Sequence, residues 1–224
     1  MNKIDIHSGL FKNRKGSDNV FDCLAQNSMA ETSMRVHAEY HLGKFLEALG
    51  IDWQNDSSMR ETPYRVARMF LETLHGRYES EPKITEFPNT MKIDQMYCVG
   101  PVDIRSMCSH HLVPIIGKAW FGIILDKESK ILGLSKFARI ADWIFARPHM
   151  QEEATAMLAD KLEEICKPRG LALLVKAKHG CTIWRGVKAE NSVMVTSEMR
   201  GVMRETAPRM EFFQTVKGMH YEHI

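Results

Sequence analysis

The stretch that decides the fold is YCVGPVDIRSMCSHHLVPIIGKAWFGIIL, residues 97–125. It contains two runs rich in Val, Ile and aromatic residues, and neither run has the periodicity of an amphipathic helix. Between the two runs lies a polar turn that carries Cys108, His110 and His111. Two such runs joined by a short turn predict a pair of adjacent β-strands. The turn concentrates a thiol and two imidazoles in four positions, which raises the possibility of a metal site.

The residues that follow this stretch predict two helices. GLSKFARIADWIFARP (133–148) places its apolar residues at helical spacing, with Ser135 as the expected N-cap. QEEATAMLADKLEEICKPRG (151–170) does the same and ends at a Pro168/Gly170 stop signal.

Two further strands and a last helix are predicted near the C-terminus. LALLVKAKHGCTIW (171–184) alternates, which places His179 and Cys181 on one face of a strand. SVMVTSEM (192–199) predicts another strand, and 209–218 a short helix. The order strand, strand, helix, helix, strand, strand predicts an α+β unit with an antiparallel sheet and helices on one face.

Two helices are also predicted ahead of this unit. Apolar residues recur at helical spacing from Glu31, and ETPYRVARMFLETLHG (61–76) begins with Thr62 as the expected N-cap. The first 28 residues are polar and weakly periodic, which is typical of a flexible arm. The predicted organisation is therefore an arm at 1–28, a helical region at 29–94 and the α+β unit at 95–224.

The composition limits the function classes. Among 224 residues, 30 Lys and Arg nearly balance 28 Asp and Glu, so the net charge of +2 gives no general attraction to nucleic acid or membrane. No run approaches the roughly 20 apolar residues of a membrane span, and the N-terminus lacks the apolar segment of a secretory signal. Five irregularly spaced cysteines form no disulfide framework and predict a reducing, cytoplasmic setting.

The cysteines and histidines predict a zinc site. Cys108 and His111 offer a thiolate and an imidazole, and they converge only across a bend. His179 and Cys181 form a second half-site. With one of these two, zinc would have three protein ligands and an open position; with both, the site would be closed and structural. The chain has ample core and a surplus of polar groups near the turn, so we favour an open, catalytic site over a Cys2His2 or Cys3His staple.

Basic residues predict a local anion site. Ser135, Lys136 and Arg139 lie at the start of a predicted helix, where free amides and the helix dipole favour an anion. Arg65 and Arg185 would add charge, and together these groups suit a polyphosphate better than a neutral ligand. Taken one at a time, each of these residues is equally well explained as a helix cap or as a solvent-exposed base.

A family resemblance ties these features together. CSHHLVPIIGKAWFGI, GLSKFARI, RPHMQEEAT, HGCTIWRGV and VTSEMRGVMRE resemble GTP cyclohydrolase I in order and spacing, and ETPYRVARMF resembles that family's N-terminal helix. The similarity runs from about Glu31 to the C-terminus. It implies a tunnelling fold, an antiparallel ββααββ unit whose sheets join into a barrel across subunits, and a decamer of two stacked pentamers with each active site between subunits.

The resemblance also implies a reaction and a set of site residues. The reaction opens the imidazole ring of GTP, releases C8 as formate and gives 7,8-dihydroneopterin triphosphate. One zinc ion per subunit would be held by Cys108, His111 and Cys181. Proton transfer would fall to His110 and His179, with Ser135 near the ribose and the opening ring. Guanine would be held by Gln151 and Glu152, and the triphosphate by Arg65, Lys136, Arg139 and Arg185.

The chain departs from the family pattern near the expected metal. Ser109 stands where the family usually has glutamate, His149 replaces the usual glutamine, and Met194 stands where threonine is common. None of the three is an implied ligand or base. The loss of an acidic neighbour at Ser109 can still change how the metal ligands are supported.

Three alternatives remain at this stage. A nitrile reductase of 7-deazaguanine synthesis would need a cysteine nucleophile and a nicotinamide cofactor, and the His-rich turn argues against it. A non-catalytic GTP-binding protein would not need the ligands and proton carriers that this chain keeps. A structural-zinc module would need four protein ligands. The sequence leaves open whether the product serves tetrahydrofolate, another pterin or a 7-deazaguanine.

Overall fold

The computed structural model describes residues 28–219, which fall into two compact units that meet in the sequence at Ser80 and Glu81. The predicted arm at 1–28 lies, apart from Ser28, outside the described residues. Within the described part of the chain, no helix is both long and apolar enough to cross a bilayer.

The first unit is helical, and the two helices predicted ahead of the α+β unit are confirmed. It contains α1 (Ser28–Ala48), α2 (Thr62–Thr73) and a 3-10 turn at His75–Arg77. The prediction of Thr62 as the N-cap of α2 is wrong, because Glu61 takes that position and its side chain makes no capping bond. A proline in the first turn needs no N–H partner, so the helix begins at Thr62 without a side-chain cap.

The second unit is built on a five-stranded sheet with the order β5-β2-β3-β6-β7. Its strands are β2 (Met96–Cys108), β3 (Pro114–Ile124), β5 (Pro148–His149), β6 (Gly170–His179) and β7 (Met194–Gly201). All neighbours pair antiparallel except β5, which runs parallel to β2. The short strands β1 (Glu86–Pro88) and β4 (Lys130–Leu132) form a separate antiparallel pair. The predicted α+β class with an antiparallel sheet is confirmed.

Helices lie on both faces of this sheet. α3 (Leu134–Phe145) and α4 (Gln151–Cys166) bury their apolar faces against one side, as predicted. The C-terminal helix α6 (Thr206–Gly218) packs on the other side, through Phe212 against Trp120 and Leu174. The prediction that helices occupy one face is therefore wrong for α6. A side chain at Gly122 would meet the Phe212 ring at 2.5 Å, so glycine is what allows this close packing.

The sheet topology brings two chain segments together at one end. β2 and β6 both run antiparallel to β3, so they run parallel to each other and their C-terminal ends lie at the same end of the sheet. The turn that follows β2 and the segment that follows β6 are therefore neighbours. The latter is a one-turn helix, α5 (Gly180–Ile183).

Two local predictions at this end need correction. β6 ends at His179 and Cys181 lies in α5, so the two residues do not share a strand face. Ser135 is the second residue of α3 and Gly133 is its N-cap, so the predicted capping role of Ser135 is wrong. The extended backbone of Gly133 serves as the cap position without a side-chain bond.

Candidate metal centre and active site

The turn after β2 is the bend that the sequence predicts. Cys108 ends the strand and is only 4% exposed, while His110 and His111 are exposed. The Cys108 N–H donates to the Val113 carbonyl at 2.9 Å, and the Leu112 N–H donates to the Cys108 carbonyl at 2.9 Å. Leu112 has a positive φ of 51°, which reverses the chain. The turn thus buries the thiol and presents both imidazoles beside it.

The segment after β6 closes against the same turn. The Thr182 hydroxyl donates to the His179 carbonyl at 2.9 Å and fixes the first turn of α5. A side chain at Gly180 would lie 2.9 Å from the Pro114 carbonyl oxygen, so only glycine lets α5 approach the start of β3 this closely. Cys181 follows at once and is half-buried.

Cys108, His111 and Cys181 form a compact group of metal-ligand side chains. Their ligand atoms all lie within 4.8 Å of one another, and Cys108 Sγ is 3.9 Å from His111 Nδ1. Tetrahedral zinc, with bonds near 2.3 Å to sulfur and 2.0 Å to nitrogen, would hold such a pair about 3.6 Å apart. The Cys108–His111 pair therefore fits tetrahedral zinc through Nδ1 after a contraction of about 0.3 Å.

The electrostatics of the group also fit a cation. Burial, followed by the hydrogen bond to and charge of the neighbouring Cys108, raises the pKa of the Cys181 thiol. Two sulfurs this close resist joint ionisation unless a cation lies between them. Among residues 28–219, this is the only such grouping of three or more His, Cys, Asp or Glu side chains. A group of three ligand side chains favours a metal site with one open coordination position over a structural site with four protein ligands.

His179 lies outside the ligand group and is held by a glutamine. Its Nε2 lies 2.8 Å from Gln151 Oε1. Gln151 is 2% exposed, and its amide nitrogen donates to the Val175 carbonyl, the Met194 carbonyl and the Thr196 hydroxyl. The family resemblance implies that Gln151 contacts guanine. In the structure, the Gln151 amide already forms hydrogen bonds within the chain.

Glu152 is the exposed neighbour of Gln151 in the first turn of α4. Burial lowers the pKa of His179, and the negative charge of Glu152 partly opposes this shift. The carboxylate therefore lies close enough to the imidazole to act on its charge. The N-terminus of α4 also favours a negative charge at this position.

The predicted anion-binding residues are distributed unevenly. Arg185 Nη1 lies 3.0 Å from His111 Nε2, so the structure brings this arginine to the metal centre. Ser135, Lys136 and Arg139 lie in the first two turns of α3, and in the described part of the chain no hydrogen bond or ion pair joins them to the centre. Arg65 belongs to the first unit, where it pairs with Glu61 at 2.9 Å.

His149 is a neighbour of the centre that the sequence identified only as a departure from the family pattern. It is 7% exposed and pairs with Cys108 in the β2–β5 ladder. Its Nε2 donates to the Ile144 carbonyl at 3.1 Å, and its own carbonyl accepts the Ser109 N–H at 3.4 Å. His149 therefore supports the turn from behind, a role that no local sequence signal indicates.

The sheet brings a Cys–His–Cys group that could hold a metal ion together with the partly buried His179 and its partner Gln151, an arrangement expected of an α+β enzyme. The family model described as GTP cyclohydrolase I matches residues 38–217. The chain therefore belongs to the GTP cyclohydrolase I family.

Curated relatives agree with this membership. The chain is 38% identical over 174 residues to GTP cyclohydrolase 1 of Streptomyces avermitilis, covering 78% of this chain and 86% of the relative. It is 37% identical over 176 residues to the same enzyme of Corynebacterium glutamicum (78% and 89%). For Actinobacillus pleuropneumoniae the identity is 36% over 183 residues (80% and 83%).

A solved structure of an archaeosine synthase, QueF-Like, in the apo form also resembles part of the chain. The match covers 55% of this chain and 97% of that one, with 13% identity and a TM-score of 0.35. A likeness this weak has no bearing on the fold or the function.

Proposed function

We propose that this chain is a zinc-dependent GTP cyclohydrolase I. The reaction would hydrolyse the imidazole ring of GTP, release C8 as formate and give 7,8-dihydroneopterin triphosphate. The observation that carries the proposal is the Cys108–His111–Cys181 group with His110 and His179 beside it, in a chain of this family. The product would enter the synthesis of tetrahydrofolate, another pterin or a 7-deazaguanine.

One zinc ion per subunit would be held by Cys108, His111 and Cys181. When bound, zinc supplies Lewis acidity that makes a water molecule nucleophilic near neutral pH. The hydrogen-bonded backbone of the Cys108 turn, which His149 supports, would keep the ligands in place. The carbon under attack would be C8 of the purine.

We propose that two histidines move protons. His110 Nδ1 lies 3.8 Å from Cys108 Sγ, and its ring meets that of His111 edge-on at 6.3 Å. His179 is the last residue of β6, two positions before Cys181. Ring opening needs a proton at N7, which makes C8 electrophilic, and removal of a proton from the attacking water. We assign these transfers to His110 and His179, with Ser135 near the ribose.

Glu152 would recognise the guanine. Its carboxylate is exposed beside His179 and can accept hydrogen bonds from guanine N1–H and the exocyclic amino group. Adenine, which presents an acceptor at N1, would leave the carboxylate unmatched. Gln151 would contribute to the pocket from behind, because its amide is engaged within the chain.

The triphosphate would be bound by Lys136, Arg139, Arg185 and Arg65. Arg185 already lies beside His111. Among the residues that the structure describes, no hydrogen bond or ion pair joins Lys136 or Arg139 to the Cys108–His111–Cys181 group. A site that a neighbouring subunit completes would account for this.

We propose a homodecamer of two pentamers, in which the sheets join into a barrel. β7 is an edge of the sheet, and an eight-residue edge strand offers an unpaired row of N–H and C=O groups to a second copy. We propose 95–224 as the catalytic domain, preceded by an N-terminal region at 29–94 whose helices are α1 and α2. We propose a cytoplasmic location, which the cysteine usage supports, and no nucleic-acid or membrane partner, which the near-neutral net charge supports.

The proposal is tested by incubating the zinc-loaded protein with GTP, and separately with ATP, followed by oxidation and fluorescence detection of pterin. GTP should give a fluorescent pterin triphosphate, and ATP none. The Cys181→Ser variant serves as the control for trace activity from other proteins. A zinc-loaded, folded parent that leaves GTP intact would contradict the proposal.

A further inference from the structure

Three possible hydrogen-bond acceptors lie around the side-chain amide nitrogen of Gln151. Its amide nitrogen lies 3.2 Å from the Val175 carbonyl, 3.3 Å from the Met194 carbonyl and 3.0 Å from the Thr196 hydroxyl. The two carbonyls can only accept. A flipped amide would turn its oxygen toward both of them, which a buried position does not tolerate.

Thr155 determines whether the Thr196 hydroxyl donates or accepts each of its hydrogen bonds. The Thr155 hydroxyl donates its one proton to the backbone carbonyl of Gln151 at 2.6 Å. The 2.7 Å bond between the two threonine hydroxyls must then be donated by Thr196. Thr196 oxygen is thereby left as an acceptor for the amide. All three neighbours of the Gln151 nitrogen are acceptors, so its orientation is fixed.

A fixed amide dictates the state of His179. Gln151 Oε1 faces His179 Nε2 at 2.8 Å, and this oxygen can only accept. His179 Nε2 must therefore carry a proton. In a neutral imidazole the other nitrogen, Nδ1, then holds the free lone pair.

We infer that Gln151 is a positioning residue that holds His179 in the Nε2–H tautomer, so that His179 exchanges protons with the substrate at Nδ1. The catalytic half of this statement rests on the proposed function. The tautomer itself rests only on the contacts of Gln151. This role differs from the direct guanine contact that the family resemblance implies for Gln151.

The tautomer is tested by NMR of the zinc-loaded protein labelled with 15N in its histidine rings. Comparison with His179→Asn identifies the His179 signals. At a pH where the ring is neutral, Nε2 should show the shift of a protonated nitrogen with a slowly exchanging proton, and Nδ1 that of a lone-pair nitrogen. A neutral ring with its proton on Nδ1 would overturn the inference.

The positioning role is tested with Gln151→Met, which keeps the length of the side chain and removes its amide. The ring N–H should exchange rapidly with water. The rate constant kcat should fall on the order of 10- to 100-fold, because a displaced catalytic group loses its geometry. The dissociation constant for GTP should stay within about twofold, since the lost interaction acts on chemistry rather than binding.

The matched control is Gln95→Met, because Gln95 is exposed and, among residues 28–219, its side chain bonds only the neighbouring Asp94. It should leave the ring signals, kcat and GTP affinity at parent values. A Gln151→Met variant with weakened GTP binding and unchanged His179 signals would show a direct guanine contact and refute the positioning role. If the parent itself fails to open GTP, the proposed function falls, while the NMR measurement still decides the tautomer.

Discussion

Replacing Glu152 with glutamine should separate guanine recognition from metal binding. Glu152 is exposed in the first turn of α4, and its main influence within the chain is its charge on His179. The substitution should therefore leave the free energy of unfolding within about 0.5 kcal/mol of the parent value. Zinc content should not change, because Glu152 is not a member of the ligand group.

The effect on GTP should be large. In the parent, the carboxylate would accept two hydrogen bonds from guanine donors, at least one of them charge-assisted. In Glu152→Gln the amide group would place a donor opposite a donor and remove the charge, a loss of about 2–4 kcal/mol. This corresponds to a fall of about 30- to 1,000-fold in kcat/KM.

The assay combines calorimetric titration of GTP, metal analysis and formate release on three proteins: the parent, Glu152→Gln and Glu153→Gln. Glu153 is the matched control because it is also exposed in the first turn of α4. It should keep the parent kcat/KM. The reasoning is refuted if Glu152→Gln binds and turns over GTP like the parent, or if both variants lose activity equally.

Four further predictions follow from the described contacts. Metal analysis of Cys181→Ser should show loss of the roughly one zinc ion per chain found in the parent, with loss of turnover; full zinc content in the variant would exclude Cys181 as a ligand. His110→Ala should still bind GTP but release formate about 10²- to 10⁴-fold more slowly, and an unchanged single-turnover rate would remove it from the chemistry. Light scattering should show a decamer, and a fully active monomer would contradict the shared site. Thermal unfolding should show Gly122→Ala destabilised by about 1–3 kcal/mol because its methyl group meets Phe212, whereas Gly133→Ala, whose Cβ would meet only Lys136 Cγ at 4.0 Å, should lose much less stability.

The elements that the sequence predicted well are those whose signal is local. The two runs in 97–125 became β2 and β3 because β-branched and aromatic residues suit a half-buried pleated surface. The apolar stripe of α3 is buried as its spacing predicts. The convergence of Cys108 and His111 across a bend also follows from their separation of three positions.

The errors arise where tertiary contacts decide. Leu171 to Val175 of β6 are buried on both faces of the sheet, which alternation alone does not indicate, and α6 supplies the second cover. The expected caps at Thr62 and Ser135 failed because each helix begins one or two residues earlier than the capping pattern suggests. Such boundaries depend on the chain that leads into the helix.

The candidate site also has a part that local sequence signals predicted and a part that depends on tertiary contacts. The residue types at Cys108, His111 and Cys181 indicate a metal, although the one-turn helix that carries Cys181 was not foreseen. The partners of Gln151 lie 24 and 45 positions away, on β6 and β7, so only strand pairing reveals them. The sequence therefore predicted that Gln151 contacts a ligand, whereas in the structure its side-chain oxygen contacts His179.

The central claim, zinc-dependent opening of the GTP imidazole ring, is tested most directly by following C8. Metal-free protein would be divided, one half reconstituted with one equivalent of zinc, and both halves incubated with GTP labelled at C8. The account predicts labelled formate in equal amount to 7,8-dihydroneopterin triphosphate in the reconstituted half, and neither product in the other. Label that remains in the purine with zinc bound, or equal formate release from both halves, would contradict it.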